Sequence, residues 1–127
     1  MTETVLDSSA VLASIQHEPG ADIVDAALAG SVLSVINLAE VVSKLISRGF
    51  PDAEAVIAGR QFGAGLVDVD EDQAAIAGTI HAATRRAGIS MADAFCLALA
   101  TQRGSPVLTA DRAWKALDLG VEVTLIR

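Results

Sequence analysis

The sequence predicts an α/β domain, a short and mainly parallel sheet with helices on both faces. Three observations predict it. Short apolar runs of strand length recur along the chain: TVL near the start, SVLSV, LVDV, VLT and the closing 121–126 segment. Each is separated from the next by stretches whose apolar residues fall at helical spacing. Helix punctuation, Ser or Asp before and Gly after, brackets most of those stretches. Strands that are apolar and alternate with helices belong to a sheet covered on both sides.

In order, Val5 and Leu6 form a buried strand that ends at Asp7. Ser8 or Ser9 caps the first helix, which carries Val11, Leu12 and Ile15. HEPGAD is a turn, and Ile23, Val24, Ala27 and Leu28 give the second helix its apolar stripe up to Gly30. Residues 31–35 are a strand. Asn37 caps or opens a helix running to Arg48, with Gly49 as its C-cap. Pro51 opens another helix that ends near Gly63. Residues 66–69 are a strand, 71–87 an Ala-rich helix closed by Gly88, and 90–103 a helix stopped by Gly104. Residues 107–109 are a strand, 110–117 a short helix and 121–126 the last strand. No linker, repeat or low-complexity segment divides the chain, so a single domain spans 1–127.

A length of 127 residues suits one domain with a sizeable core. Hydrophobic residues make up 52% but aromatic ones only 3%, so Ala, Val, Leu and Ile build that core. No apolar run reaches the length of a membrane span, and the N-terminus lacks a signal-peptide pattern. The single cysteine, Cys96, fits a reducing, cytoplasmic setting and lies in the apolar run AFCLALA as an inert buried thiol. A formal net charge of −7 is the wrong sign for a simple nucleic-acid binder. Either the ligand is not nucleic acid, or some of the acids are metal ligands whose charge is neutralised.

Four carboxylates stand out by position. Asp7 ends the first strand, Glu40 lies one turn into the third helix, Asp93 lies in the first turn of the helix begun by Ser90, and Asp111 follows VLT. Each has a plain structural reading. Asp7 and Asp111 can cap the helices that follow them, Glu40 can pair with Lys44, and Ser90 with Asp93 fits a capping box. Collectively they point elsewhere. The helix begun by Ser90 is apolar almost all round, so its lone acid faces something specific. Ligands of open α/β sheets bind at the carboxyl ends of the strands, where the strand order reverses. Carboxylates gathered there repel one another unless a cation intervenes, and oxygen-only ligands select Mg²⁺ or Mn²⁺.

The segments VLDSSAVLA, SVINLAEVVSKL, GISMADAFCLALA and VLTADRAWKAL resemble the four motif blocks of the PIN-domain family. The closest resemblance is to the VapC-type ribonuclease toxins of bacterial toxin–antitoxin pairs, and it covers nearly the whole chain in order. It implies a three-layer PIN-like fold, with the strand of Asp7 central and that of Asp111 beside it. It also implies that Asp7, Glu40, Asp93 and Asp111 are a catalytic quartet binding Mg²⁺ or Mn²⁺, supported by Ser9 and Thr109. The implied activity is endoribonuclease cleavage of RNA by metal-activated water, leaving 5′-phosphate and 3′-hydroxyl ends. The implied partners are a small cognate antitoxin and a second copy in a homodimer. Trp114 stands where the family more often has Phe and is read as packing. On this reading Arg85, Arg86, Arg112 and Lys115 hold the RNA backbone, the alternative being ordinary surface charge. His17 and His81, both placed on helices, are left as structural.

Three other readings compete. Haloacid-dehalogenase-like phosphatases also place an Asp after the first strand, but they need a second Asp two residues on, where this chain has Ser9. A phosphate-receiver domain needs a Lys near the last strands, and 121–126 offers none. The third is a PIN-like module kept only for binding.

Overall fold

The structure, a computed structural model, describes residues 3–127. Its elements are β1 (Thr4–Leu6), α1 (Ser8–Ile15), α2 (Ala21–Ala27), β2 (Ser31–Ser34), α3 (Val35–Ser47), α4 (Asp52–Arg60), β3 (Gly65–Val67), α5 (Glu71–Ala83), α6 (Met91–Arg103), β4 (Val107–Thr109) and β5 (Val123–Leu125). Single 3₁₀ turns lie at Leu28–Gly30, Arg85–Ala87 and Arg112–Ala116. The five strands form one sheet in the order β3-β2-β1-β4-β5, and every pairing is parallel. The order reverses between β1 and β4. That boundary is the switch point at which parallel sheets open a crevice.

Alternation along each strand sends side chains to two cores. Val5, Val107 and Val123 face a core built from α5, α6 and the buried Trp114. Leu6, Leu33 and Leu108 face a second core under α1, α2, α3 and α4. The helices therefore form a layer on each side of the sheet, as the apolar strands require. Among the described residues no helix is long and apolar enough to cross a membrane.

Element ends shift where local hydrogen bonding overrides the apolar pattern. The third helix begins at Val35, capped by the Ser34 hydroxyl, which accepts from the Ile36 amide; Asn37 is fully buried inside the helix. Ser8 and Ser9 likewise lie within α1, and Asp7 occupies its N-cap position. The Ala-rich helix stops at Ala83 rather than 87. Thr84 Oγ1 donates back to the Ile80 carbonyl at 2.7 Å, and the chain tightens into a 3₁₀ turn before Gly88. Residues 112–116 form a 3₁₀ turn too, being too few for a stable α-helix. β3 comes earlier than 66–69 because Asp70 is drawn off to cap α5, accepting from the Gln73 amide. His17 lies in the turn after α1 with a φ of 55°, not on a helix.

Two glycines have specific reasons. Gly20 sits at φ 96°, where a Cβ would come within 2.4 Å of the Ile126 carbonyl oxygen, so it lets the C-terminal strand close over the α1–α2 turn. Gly59 lets α4 approach α3, since a Cβ there would meet Leu38 Cδ1 at 2.9 Å.

Candidate metal centre

Asp7 is placed by the sheet. Its backbone N–H donates to the Leu108 carbonyl at 3.0 Å, which extends the β1–β4 pairing one residue beyond the strand. Its carbonyl then accepts from Ala10 and Val11, so the helix starts immediately and the side chain is left at the mouth of the switch point. That side chain makes no capping bond, although Asp7 is the N-cap residue. Its Oδ2 accepts from Ser9 Oγ at 2.6 Å and from Thr109 Oγ1 at 2.9 Å. Both hydroxyls are turned by backbone donors. The Ala110 amide donates to Ser9 Oγ at 2.9 Å, and the Asp111 amide donates to Thr109 Oγ1 at 3.0 Å. With their lone pairs so engaged, the hydroxyl protons go to Asp7. The other carboxylate oxygen, Oδ1, is buried and has no partner.

Glu40 and Asp93 arrive from two helices that meet at this edge. Asp93 is held in a capping box, with Ser90 Oγ accepting from the Asp93 amide and the Asp93 carboxylate accepting from the Ser90 amide. Glu40 lies one turn into α3, and Lys44 Nζ stands 3.6 Å from its Oε2. The Glu40 Oε1 atom is buried and unpaired. Carboxylate oxygens of Asp7, Glu40 and Asp93 all lie within 4.8 Å of one another.

The electrostatics follow from that crowding. Burial, reinforced by the carboxylates of Asp93 and Glu40, pushes Asp7 up to about 6, against the pull of the Ser9 and Thr109 hydroxyls. Burial also raises Asp93, helped by Glu40 and Asp111 and opposed by the Ser90 hydrogen bonds. Two buried carboxylate oxygens without a donor, inside a cluster of three acids, are costly unless a cation binds them. An all-oxygen donor set of this kind fits a hard divalent ion.

Other residues singled out by the sequence are placed as follows. Asp111 is exposed and outside the close trio, but near enough to raise Asp93; its Oδ1 accepts from the Ala113 amide at 3.0 Å, so it does cap the following turn. Arg85 and Arg86 are exposed in the turn that leads into α6. Arg112 is exposed beside Asp111. Lys115 donates its ammonium to the Val123 carbonyl at 2.7 Å, which ties the 3₁₀ turn to β5. Burial pushes the Cys96 thiol up, and its Sγ lies 3.6 Å from the Leu6 carbonyl, in keeping with an inert core cysteine. Asn37 does more than lie near the start of α3: its buried Nδ2 donates to the Ala92 carbonyl at 3.1 Å. Its place three residues before Glu40, on the same helix face, is the signal that marks it.

The profile of the PIN domain matches residues 4–119. The chain belongs to the PIN-domain family. Solved structures agree on the fold. A DNA-bound VapBC from Salmonella typhimurium is similar over 100% of both chains, with a TM-score of 0.77 at 18% identity. VapBC-5 from Mycobacterium tuberculosis is similar over 100% of this chain and 99% of the other, with a TM-score of 0.66 at 22% identity. A third, VapC20 of Mycobacterium tuberculosis, described as a sarcin–ricin loop cleaving toxin, is similar over 94% and 99%, with a TM-score of 0.71 at 15% identity. No curated protein sequence matches the chain significantly. Membership of the PIN-domain family removes the phosphatase and receiver readings. Consistently, Ser9, where such a phosphatase carries its second acid, donates a hydrogen bond to Asp7 and is no acid itself.

Proposed function

We propose that this PIN domain is a divalent-metal-dependent endoribonuclease of the VapC toxin type, held inactive by a cognate antitoxin. The observation that carries the reading is the convergence of Asp7, Glu40 and Asp93 at the switch point, with two buried carboxylate oxygens left bare. The fold neighbours, several of them toxin–antitoxin complexes and one described as a sarcin–ricin loop cleaving toxin, support it.

In this reading Asp7 Oδ1, Glu40 Oε1 and the Asp93 carboxylate hold Mg²⁺ or Mn²⁺, with Asp111 contributing from the rim. When bound, the ion supplies Lewis-acid stabilisation of the phosphate oxygens and activates a water for in-line hydrolysis. Ser9 and Thr109 fix the Asp7 carboxylate by engaging Oδ2, so that Oδ1 alone faces the ion. Arg85, Arg86 and Arg112 hold the phosphate backbone of a single strand or loop. Their local charge is needed because the net charge of the chain, −7, repels RNA at a distance. A homodimer completes the assembly. The antitoxin blocks the site by placing a cation among the carboxylates, where it replaces the metal and pairs with them.

The test is cleavage of RNA by the purified protein with Mg²⁺ or Mn²⁺. Cleavage should stop with a chelator, and its products should carry 5′-phosphates. Sequencing RNA ends after induced expression then identifies the target. Induced expression should arrest growth, and co-expression of the cognate antitoxin should relieve the arrest. Persistent arrest with both proteins demonstrably made removes the antitoxin part of the reading.

A further inference from the structure

The three acids of the candidate centre belong to three different elements. Asp7 is fixed by the sheet, but Glu40 and Asp93 stand on two helices, α3 and α6, that pack together and are joined by a polar tie. That tie is Asn37. Its side chain is fully buried, and its Nδ2 donates to the carbonyl of Ala92, the residue before Asp93. Asn37 also sits one helical turn before Glu40 on the same face. One hydrogen bond therefore joins the turn that carries Glu40 to the turn that carries Asp93.

We propose that Asn37 is the positioning residue of the centre, setting the separation of Glu40 and Asp93 so that both reach the ion held by Asp7. The proposal rests on the metal-site reading above. The buried apolar residues of α3 and α6 belong to two different cores, although the helices touch. A directional bond at 3.1 Å sets their register at the point where it matters. The like charges also need such a tie. Carboxylate oxygens of Glu40 and Asp93 lie within 4.8 Å of each other, and the Asn37–Ala92 bond opposes the separation that their repulsion favours. A buried Asn at this place carries a cost, because its Oδ1 is left without a partner. An isosteric apolar residue avoids that cost, so the amide is explained by the bond it donates.

The test uses Mn²⁺ alone as probe, with binding to the metal-free full chain measured by calorimetry or by loss of the free-ion electron paramagnetic resonance signal. Variants are Asn37→Leu, close in shape and unable to donate, and Asn37→Ala. Gln73→Ala is the control: Gln73 is another buried amide with an unpaired Oε1, lying on the opposite core with Gln102 and Asp70. Both Asn37 variants should lose about 10–100-fold in Mn²⁺ affinity. Gln73→Ala should keep wild-type affinity whatever its melting temperature. Asn37→Leu, which keeps the core filled, should fold and still bind weakly. Wild-type Mn²⁺ affinity in folded Asn37→Leu overturns the proposal, as does an equal loss in Gln73→Ala. A wild-type chain that binds no Mn²⁺ instead overturns the metal-site reading on which the proposal stands.

Discussion

Thr109 donates a 2.9 Å hydrogen bond to Asp7 across 102 residues of sequence. The bond joins the last residue of β4 to the first residue after β1, at the one place where the strand order reverses. It engages one carboxylate oxygen and leaves the other bare. A helix cap uses its side chain differently, on the amides of its own first turn. Asp7 occupies a cap position and makes no such bond.

For that reason Asp7→Asn separates capping from metal binding. Asn caps a helix about as well as Asp, so the fold should survive. RNA cleavage should collapse, by on the order of 100-fold or more, because the charge that holds the ion is gone. Mg²⁺ should raise the melting temperature of the wild type and raise that of the variant less. An Asp7→Asn protein that cuts RNA at the wild-type rate, with an unchanged Mg²⁺ response, would falsify the assignment.

The same residue sets a pH dependence. Its folded value of about 6 lies above the ordinary 3.8, so the folded, metal-free protein holds the Asp7 proton more tightly than the unfolded chain does. The associated stability is complete below 3.8 and is lost as pH rises through about 6. At about 1.4 kcal/mol per unit, the loss is on the order of 3 kcal/mol. Without metal, Asp7→Asn should therefore gain stability over the wild type progressively between pH 4 and 7. Urea melts across that range read the difference. Mn²⁺ affinity of the wild type should rise over the same window, since the ion competes with the proton.

Thr109→Val tests the hydroxyl pair. The change is nearly isosteric, but it removes the donor to Asp7 Oδ2 and the acceptor of the Asp111 amide. Stability should fall by about 1–2 kcal/mol, and Mn²⁺ affinity by about 10-fold. Ser9→Ala should act in the same direction, because Ser9 also bridges Asp7 and the Ala110 amide. Unchanged affinity in both variants removes the supporting role.

The basic residues should divide into two groups. Arg85→Ala with Arg86→Ala should weaken RNA binding and flatten its salt dependence, with thermal stability little changed, because both are exposed. Lys115→Met should do the reverse. Its ammonium is spent on the Val123 carbonyl, so the cost falls on stability and the salt slope of binding stays as it was. Fluorescence anisotropy with a labelled single strand at several salt concentrations distinguishes the two. A slope that changes for Lys115→Met and holds for the arginines reverses this assignment.

Much of the molecule was legible in one dimension because the signals are local. Apolar spacing set the strands and helices, Gly104 ended the helix it follows, and Ser90 with Asp93 formed the capping box their spacing implied. The Glu40–Lys44 pair and the buried Trp114 are likewise as read. Where those signals competed with a nearby hydrogen bond, the bond won. Ser34 displaced Asn37 as the cap of α3, and Thr84 ended α5 four residues early.

The sequence by itself determined which residue types were available: four acids at strand ends or in the first turns of helices, an apolar helix around Asp93, and too little basic charge for a simple RNA binder. Tertiary structure alone decided which of them meet. It brought Asp7, Glu40 and Asp93 together, left Asp111 exposed outside that trio, gave Asn37 its tie to Ala92 and tied Lys115 to the sheet. The physical reason is range. Helix and strand preferences act over a few residues, whereas the centre is assembled from strand pairing and helix docking between segments far apart in the chain, and no local pattern encodes those distances.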